Sequence, residues 1–131
     1  MLAFRNGTFA EMIGHAYDGY PLEACGLLVG RGQRVERFVA CTNEAALARI
    51  YSIPAKQLLR AERDADDAGL EIIGVFHSHT HTEPYPSPTD VDQAPDPGWH
   101  YVIVSLKREA PETRSYRIAN GQISEERGSV E

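Results

Sequence analysis

Two histidines separated by a single residue, His77 and His79, are the side chains in this sequence best suited to bind a metal ion. Alternate residues of a strand share one face of a sheet, so both imidazoles can face the same ion. A catalytic zinc site needs three protein ligands and one open position for water, and Asp90 could supply the third ligand. The histidine pair alone would equally suit two surface imidazoles at the end of a strand.

A metal-dependent hydrolase also needs a base that takes a proton from the attacking water. Glu23 is the candidate, because it directly precedes an apolar run that begins at Ala24. An exposed charge at the start of a strand is the alternative for Glu23. Ser87 lies three residues before Asp90 and could direct its hydroxyl into the same cavity.

These residues resemble the JAMM, or MPN-plus, family of zinc metallopeptidases. The family pattern is a distant glutamate followed by H-[S/T]-H-x7-S-x2-D, and it is matched here by Glu23, His77, Ser78, His79, Ser87 and Asp90. The resemblance implies a Zn²⁺ ion held by His77, His79 and Asp90, with Glu23 as the catalytic base and Ser87 as the oxyanion donor. It also implies the cytidine-deaminase-like sandwich of MPN domains.

Among its subfamilies, the chain most resembles the small bacterial peptidases that act on ubiquitin-like sulfur-carrier proteins. The opening PLEACGLLVG and the short segment HSHTHTEPYPSPTD support this similarity, which implies removal of a C-terminal cysteine from the carrier. Thr80 stands where the eukaryotic deubiquitinases have proline, and longer insertions are not evident, so deubiquitination is not expected. The alternatives are an isopeptidase for another ubiquitin-like conjugate and a non-catalytic module that binds a ubiquitin-like tail.

The elements that must position these residues follow from periodicity and turn signals. We expect two helices, a central strand that carries the histidines, a proline-rich loop with one short helical turn, and hairpins on either side. The predicted helices are Thr8–Tyr20 and Pro54–Ala68; the predicted strands are Ala24–Arg31, Val35–Cys41, Glu71–His79, His100–Leu106, Thr113–Ala119 and Gln122–Gly128; the helical turn is Thr89–Ala94 within the loop Thr80–Gly98. The predicted fold class is α/β (α+β), a mixed sheet flanked by helices.

Several further residues have reactive or metal-binding side chains or lie near the motif, but they are not assigned a catalytic or metal-binding role by the JAMM pattern. Ser78 should point to the opposite strand face and hold the loop. Cys25 suits a small buried apolar role better than a thiolate ligand. Neither His81 nor Glu83 fits the ligand spacing as well as His79 and Asp90. The remaining candidates are His15 and His100 as structural or surface residues and Tyr85 as part of a substrate groove.

Length and composition exclude several classes. The 131 residues, at 14.5 kDa, predict a single domain over residues 1–131. The net charge of −6, with scattered basic residues, argues against a nucleic-acid partner. Two cysteines without a disulfide pattern, and no signal-peptide or membrane-spanning pattern, predict a cytoplasmic protein. An amidohydrolase barrel needs about 250 residues, which this chain does not have.

Two other metal-hydrolase classes fail on their motifs. A metallo-β-lactamase would need aspartate and histidine where this chain has His81 and Thr82. A zinc nucleoside deaminase would show H-x-E and a later P-C-x-x-C, neither of which occurs.

Overall fold

The computed structural model describes residues 1–45 and 51–131. Within these ranges the chain forms three helices and eight strands. In chain order they are β1 (Leu2–Phe4), α1 (Asn6–Gly19), β2 (Cys25–Arg31), β3 (Arg34–Cys41), α2 (Ala55–Asp67), β4 (Glu71–His79), α3 (Pro88–Asp92), β5 (His100–Ser105), β6 (Glu112–Ala119), β7 (Gln122–Glu126) and β8 (Gly128–Val130).

All eight strands form one mixed sheet in the order β7-β6-β5-β4-β2-β3-β1-β8. Strand β4 lies near the middle, antiparallel to β2 and parallel to β5. The outer strands β7 and β8 are consecutive in the chain and are joined through Arg127, whose carbonyl accepts a hydrogen bond from the backbone of Leu2. The two edges of the sheet therefore belong to one continuous segment.

Alternation along the strands divides the core into two layers. On one face, Leu28, Phe76 and Val102 pack in a cluster that includes Met12 and Ala16 of α1. On the other face, the side chains that precede or follow these in the strands, including Leu27, Val75 and Ile103, pack with Ala61 of α2. Each such side chain contributes about 1.5–3 kcal/mol when fully buried. The expected mixed sheet with a helix on each face is confirmed.

The close parallel pairing of β4 with β5 depends on Gly74. A Cβ atom at this position would lie 2.4 Å from the carbonyl oxygen of His100, so only glycine fits without moving one of the strands. The pairing continues to the carboxyl end of β4, where His79 pairs with Ser105. The strand that carries the predicted ligands is thus fixed on both sides by neighbours.

The structure confirms the predicted helices and strands, with shifted ends. Helix α1 begins at Asn6, two residues earlier than predicted, and β2 begins at Cys25, one residue later than predicted, so Glu23 lies two residues before the strand. The turn at Asn120 and Gly121 has the positive φ angles, 52° and 73°, that this pair favours. Strands β1 and β8 were not predicted, because three residues are too few for periodicity to appear. No helix in residues 1–45 and 51–131 has the length and apolar character needed to cross a membrane.

Candidate metal centre

His77 and His79 lie at the carboxyl end of β4, two and four residues after Val75, and so on the face covered by α2. Both are buried, with 2% and 4% of their surface exposed. Their Nε2 atoms are 3.1 Å apart, and each lies 3.1 Å from Oδ2 of Asp90. The structure therefore brings together the three residues that the sequence predicts as metal ligands, and the reading of the histidines as surface imidazoles is wrong.

Asp90 is held in place by the short helix α3. Its Oδ2 accepts a hydrogen bond from the backbone N–H of Ser87 at 2.8 Å, and its own N–H donates to Ser87 Oγ at 3.1 Å. This reciprocal capping box, followed by proline at the first helical position, fixes the start of the helix. Because Ser87 Oγ serves the helix as an acceptor, the capping bond does not use its hydroxyl proton.

The ring of His79 is oriented by a hydrogen bond on its far side. Its Nδ1 donates to the carbonyl oxygen of Glu83 at 2.8 Å, which leaves the lone pair of the neutral ring on Nε2. That lone pair faces a carboxylate oxygen, and the two repel each other unless a proton or a cation lies between them. Ligands of a tetrahedral zinc ion at about 2.0–2.1 Å are about 3.3 Å from one another, close to the spacing seen here. The three residues fit zinc and leave a fourth position open.

Titration of these groups follows the same geometry. Burial raises the pKa of Asp90, but the hydrogen bonds that His77 and His79 donate to it when their Nε2 atoms carry protons outweigh burial and hold the pKa well below its usual value. Burial lowers the pKa of His77. For His79, burial also acts to lower the pKa, but the bonds to Asp90 and to the Glu83 carbonyl raise it more. The carboxylate is therefore charged throughout the neutral range, as a metal ligand must be.

Glu23 is buried beside these ligands, with 5% of its surface exposed, so the alternative of an exposed strand-end charge is wrong. Burial raises its pKa to about 8; the field of His79 lowers it in part, and the charge of Asp90 raises it further. Among the residues that the structure describes, none offers a hydrogen bond to Glu23 Oε1. The carboxyl group can thus exchange a proton with a molecule in the site.

The backbone at Glu23 and at the following residue, Ala24, is anchored. Ser78 Oγ accepts a hydrogen bond from the N–H of Ala24 at 2.8 Å, and the Ser78 N–H donates to the carbonyl of Ala24 at 2.9 Å. Asn43 Nδ2 donates to the carbonyl of Glu23 at 2.9 Å. Ser78 is buried, and its hydroxyl holds the residue next to Glu23 and not the loop, which corrects the sequence interpretation.

Tyr51 is a part of the site that sequence reasoning missed. Its ring stacks on the imidazole of His77, with centroids 4.4 Å apart and planes 19° from parallel. It also lines a groove of about 220 Å³ whose other walls include Leu58 of α2 and Trp99. No spacing in the sequence links Tyr51 to the histidines, so only the fold reveals this contact.

Two alternative ligands lie apart from the metal centre. The exposed carboxylate of Glu83 pairs with Lys107 and Arg108, so only its backbone carbonyl reaches the site, through His79. His81 is exposed, and its ring contacts Tyr20 instead of the three ligands. Neither residue belongs to the cluster of ligand atoms, in agreement with the expectation from spacing.

The other candidates have structural surroundings. Cys25 is buried, and burial raises the pKa of its thiol to about 12, which disfavours a thiolate ligand. His15 Nε2 lies 3.0 Å from the carbonyl oxygen of Cys25. His100 is buried and hydrogen-bonded to Glu126. Tyr85 is 56% exposed, and its position in a substrate groove stays a prediction.

Residues 5–119 match the family model described as prokaryotic homologues of the JAB domain. The chain is a prokaryotic JAB-domain protein. The similarity to the JAMM and MPN-plus proteins expected from the sequence is therefore confirmed, and the site described above lies within the matched part of this JAB domain.

Individual relatives extend over almost the whole JAB-domain chain. The CysO-cysteine peptidase of Mycobacterium tuberculosis is 39% identical over 129 residues, which cover 96% of this chain and 88% of the relative. A solution structure of a protein from Desulfitobacterium hafniense has a TM-score of 0.91 at 33% identity, with coverage of 100% and 93%. A JAB1/MPN domain protein from Archaeoglobus fulgidus shares the fold, with a TM-score of 0.67 at 17% identity and coverage of 100% and 97%.

Proposed function

We propose that this protein is a zinc-dependent peptidase that hydrolyses a peptide or isopeptide bond at the C-terminal tail of a ubiquitin-like sulfur-carrier protein and releases cysteine. The observation that carries the proposal is the triangle of His77, His79 and Asp90 beside the buried carboxyl group of Glu23. The 39% identity to a CysO-cysteine peptidase over nearly the full chain supports the substrate class.

In this proposal His77, His79 and Asp90 hold the metal ion. A zinc ion there would supply Lewis acidity, which lowers the pKa of a coordinated water from about 16 to about 7 and polarises a carbonyl. Glu23 takes the proton of the attacking water and later delivers it to the leaving amine. Burial raises the pKa of Glu23 to about 8 in the metal-free protein, and the positive charge of a bound metal ion would lower it again, so the group could both accept and return a proton near neutral pH.

Ser87 acts on the substrate carbonyl. As that carbon becomes tetrahedral, the Ser87 hydroxyl donates a hydrogen bond to the developing oxyanion, because the helix cap does not use its proton. A donor of this type contributes about 3 kcal/mol to stabilisation of the transition state.

Three expectations from the sequence stay predictions. They are the single domain over residues 1–131, the cytoplasmic location and the absence of a nucleic-acid partner.

Intact-mass spectrometry tests the proposal. A sulfur-carrier protein ending in Gly-Gly-Cys is incubated with the zinc-loaded protein, with and without a chelator. We expect the carrier to lose the mass of one cysteine residue, the chelator to abolish the loss, and added zinc to restore it. An unchanged carrier in the presence of protein with confirmed bound zinc would contradict this substrate.

The Glu23→Gln variant separates an enzyme from a non-catalytic binding module. We expect it to retain zinc and to lose about 100- to 10,000-fold in cleavage rate. The matched control is Glu125→Gln, which removes an exposed carboxylate that pairs with Arg114 on β6, outside the metal centre. If wild type and Glu23→Gln behave alike toward the carrier, the catalytic role of Glu23 is wrong.

A further inference from the structure

Three successive carbonyl groups in the loop after β4 each accept a hydrogen bond from a side chain. The Thr82 carbonyl accepts from Ser105 Oγ at 2.6 Å, the Glu83 carbonyl accepts from His79 Nδ1 at 2.8 Å, and the Pro84 carbonyl accepts from the hydroxyl of Tyr116. The middle bond sets the tautomer and the ring plane of a predicted metal ligand. The bonds on either side hold the two neighbouring peptide groups.

The two hydroxyls come from rigid parts of the sheet. Ser105 ends β5 and Tyr116 lies within β6, with 1% and 2% of their surfaces exposed. Residues 101–105 of β5 pair with residues 112–116 of β6, and the N–H of Leu106 donates to the carbonyl of His79 at 2.9 Å. The loop is therefore attached to a framework that is itself anchored next to the metal centre.

The other contacts at Glu83 do less to attach the loop to the sheet. The N–H of Tyr85 donates to the Glu83 carbonyl at 2.8 Å, but this bond lies within the loop itself. The Glu83 carboxylate pairs with Lys107 and Arg108, but all three side chains are about half exposed. Exposed ion pairs contribute about 0–1 kcal/mol, and salt screens them further. The bonds from Ser105 and Tyr116 are part-buried and buried, so water replaces them incompletely when the hydroxyl is removed, and we expect them to contribute most to the attachment of the loop to the sheet.

We propose that Ser105 and Tyr116 are positioning residues of the metal centre. By fixing the peptide groups on both sides of the Glu83 carbonyl, they keep that carbonyl where it accepts the Nδ1 proton of His79. The Nε2 lone pair of His79 is then directed toward Asp90, where a metal ion would be bound. This inference rests on the proposed role of His79 as a metal ligand, and it concerns metal affinity and not the identity of the substrate.

Two variants test the inference, each with a matched control. Tyr116→Phe is compared with Tyr101→Phe, because the Tyr101 hydroxyl also donates to a loop carbonyl, that of Asp96, at 2.6 Å. Ser105→Ala is compared with Ser115→Ala, because Ser115 is a buried serine of β6 whose hydroxyl donates to Glu126 instead of this loop. Each control removes a part-buried hydrogen bond of a buried side chain and leaves the carbonyls that flank Glu83 untouched.

The first measurement is the zinc dissociation constant, from competition with a chromogenic chelator. Loss of an outer hydrogen bond to a metal-bound histidine weakens metal affinity by about 10- to 100-fold. Because Ser105 and Tyr116 act through the Glu83 carbonyl, we expect about a tenfold loss for each of them and less than about twofold for their controls. The second measurement is the NMR signal of the His79 Nδ1 proton in the zinc-loaded protein, which should exchange faster with water in both variants.

Zinc affinities of Tyr116→Phe and Ser105→Ala equal to those of their folded controls, with an unchanged His79 Nδ1 signal, would overturn the inference. If Tyr116→Phe does not fold, the comparison of Ser105→Ala with Ser115→Ala decides it. The outcome is separate from the proposed function, because a wild-type protein that binds zinc without cleaving the carrier would refute the substrate and leave the positioning of His79 intact.

Discussion

Ser87 has two roles that can be measured separately, the cap of α3 and the proposed oxyanion donor. Replacement by alanine removes both, because its oxygen accepts from the Asp90 N–H at 3.1 Å and its proton is free for the substrate. Loss of an N-cap hydroxyl costs about 1 kcal/mol in free energy of unfolding when alanine replaces it, but only a few tenths when glycine does. Loss of an oxyanion donor costs about 2.7–4 kcal/mol, or about 100- to 1,000-fold in kcat.

We therefore expect Ser87→Ala and Ser87→Gly to differ in stability but to share the same large loss in kcat. The backbone N–H of Ser87, which donates to Asp90 Oδ2 at 2.8 Å, persists in both variants, so zinc should still bind. The assays are urea unfolding and steady-state cleavage of the carrier, with exposed Ser124→Ala as the control. A kcat within about threefold of wild type for the folded, zinc-loaded variants would refute the proposed role of the hydroxyl.

Three further predictions concern stability. Glu23 has a pKa of about 8 in the folded, metal-free protein against 4.5 for the free side chain, so its ionisation destabilises the folded state as pH rises from 4.5 to 8. Glu23→Gln should therefore unfold at a higher urea concentration than wild type at pH 8. Equal unfolding midpoints at that pH would count against the burial of this carboxyl group. Burial raises the pKa of Glu126, but hydrogen bonds from His100 and Ser115 lower it more, to about 2. The ionised carboxylate therefore stabilises the fold above pH 4.5, and this contribution is lost as pH falls to 2. In urea titrations, Glu126→Gln should be less stable than wild type at pH 7 and similar to it near pH 2. Gly74→Ala should lose about 1–3 kcal/mol in free energy of unfolding, because the new methyl group collides with the carbonyl of His100. A melting temperature equal to that of wild type would show that β4 and β5 can move apart enough to admit the methyl group without cost.

The predicted ligands could be found from the sequence because their chemistry is concentrated in one short segment. His77 and His79 share a strand face by periodicity, and the spacing of Ser87 and Asp90 matches a capping box that the structure contains. Glu23 was harder, because its approach to the histidines depends on the pairing of β2 with β4, which no local pattern specifies. Its motif identified it, and the fold explains why a buried carboxyl group is there.

Contacts between distant segments escaped prediction for the same physical reason. Tyr51 stacks on His77 and Tyr116 holds the carbonyl of Pro84, yet each partner lies many residues away with no periodic relation. The short strands β1 and β8 are another case. Strand β1 pairs with β3 and β8, and its Leu2 and Phe4 are buried against distant parts of the core, so its stability depends on partners far away in the sequence. Local propensity cannot encode such partners.

The pairing of β1 with β8 also has a consequence for the order of folding. Leu2 pairs with Gly128 and Phe4 with Val130, so this ladder closes a loop of almost the whole chain, whereas β6 and β7 are joined by a two-residue turn. Closing a long loop costs more entropy and slows folding, so we expect the hairpin to form early and the ladder between β1 and β8 to form last. In native-state hydrogen exchange, the amides of this ladder should open before those of β4 and β5, which leaves the metal centre intact while the two ends of the chain separate.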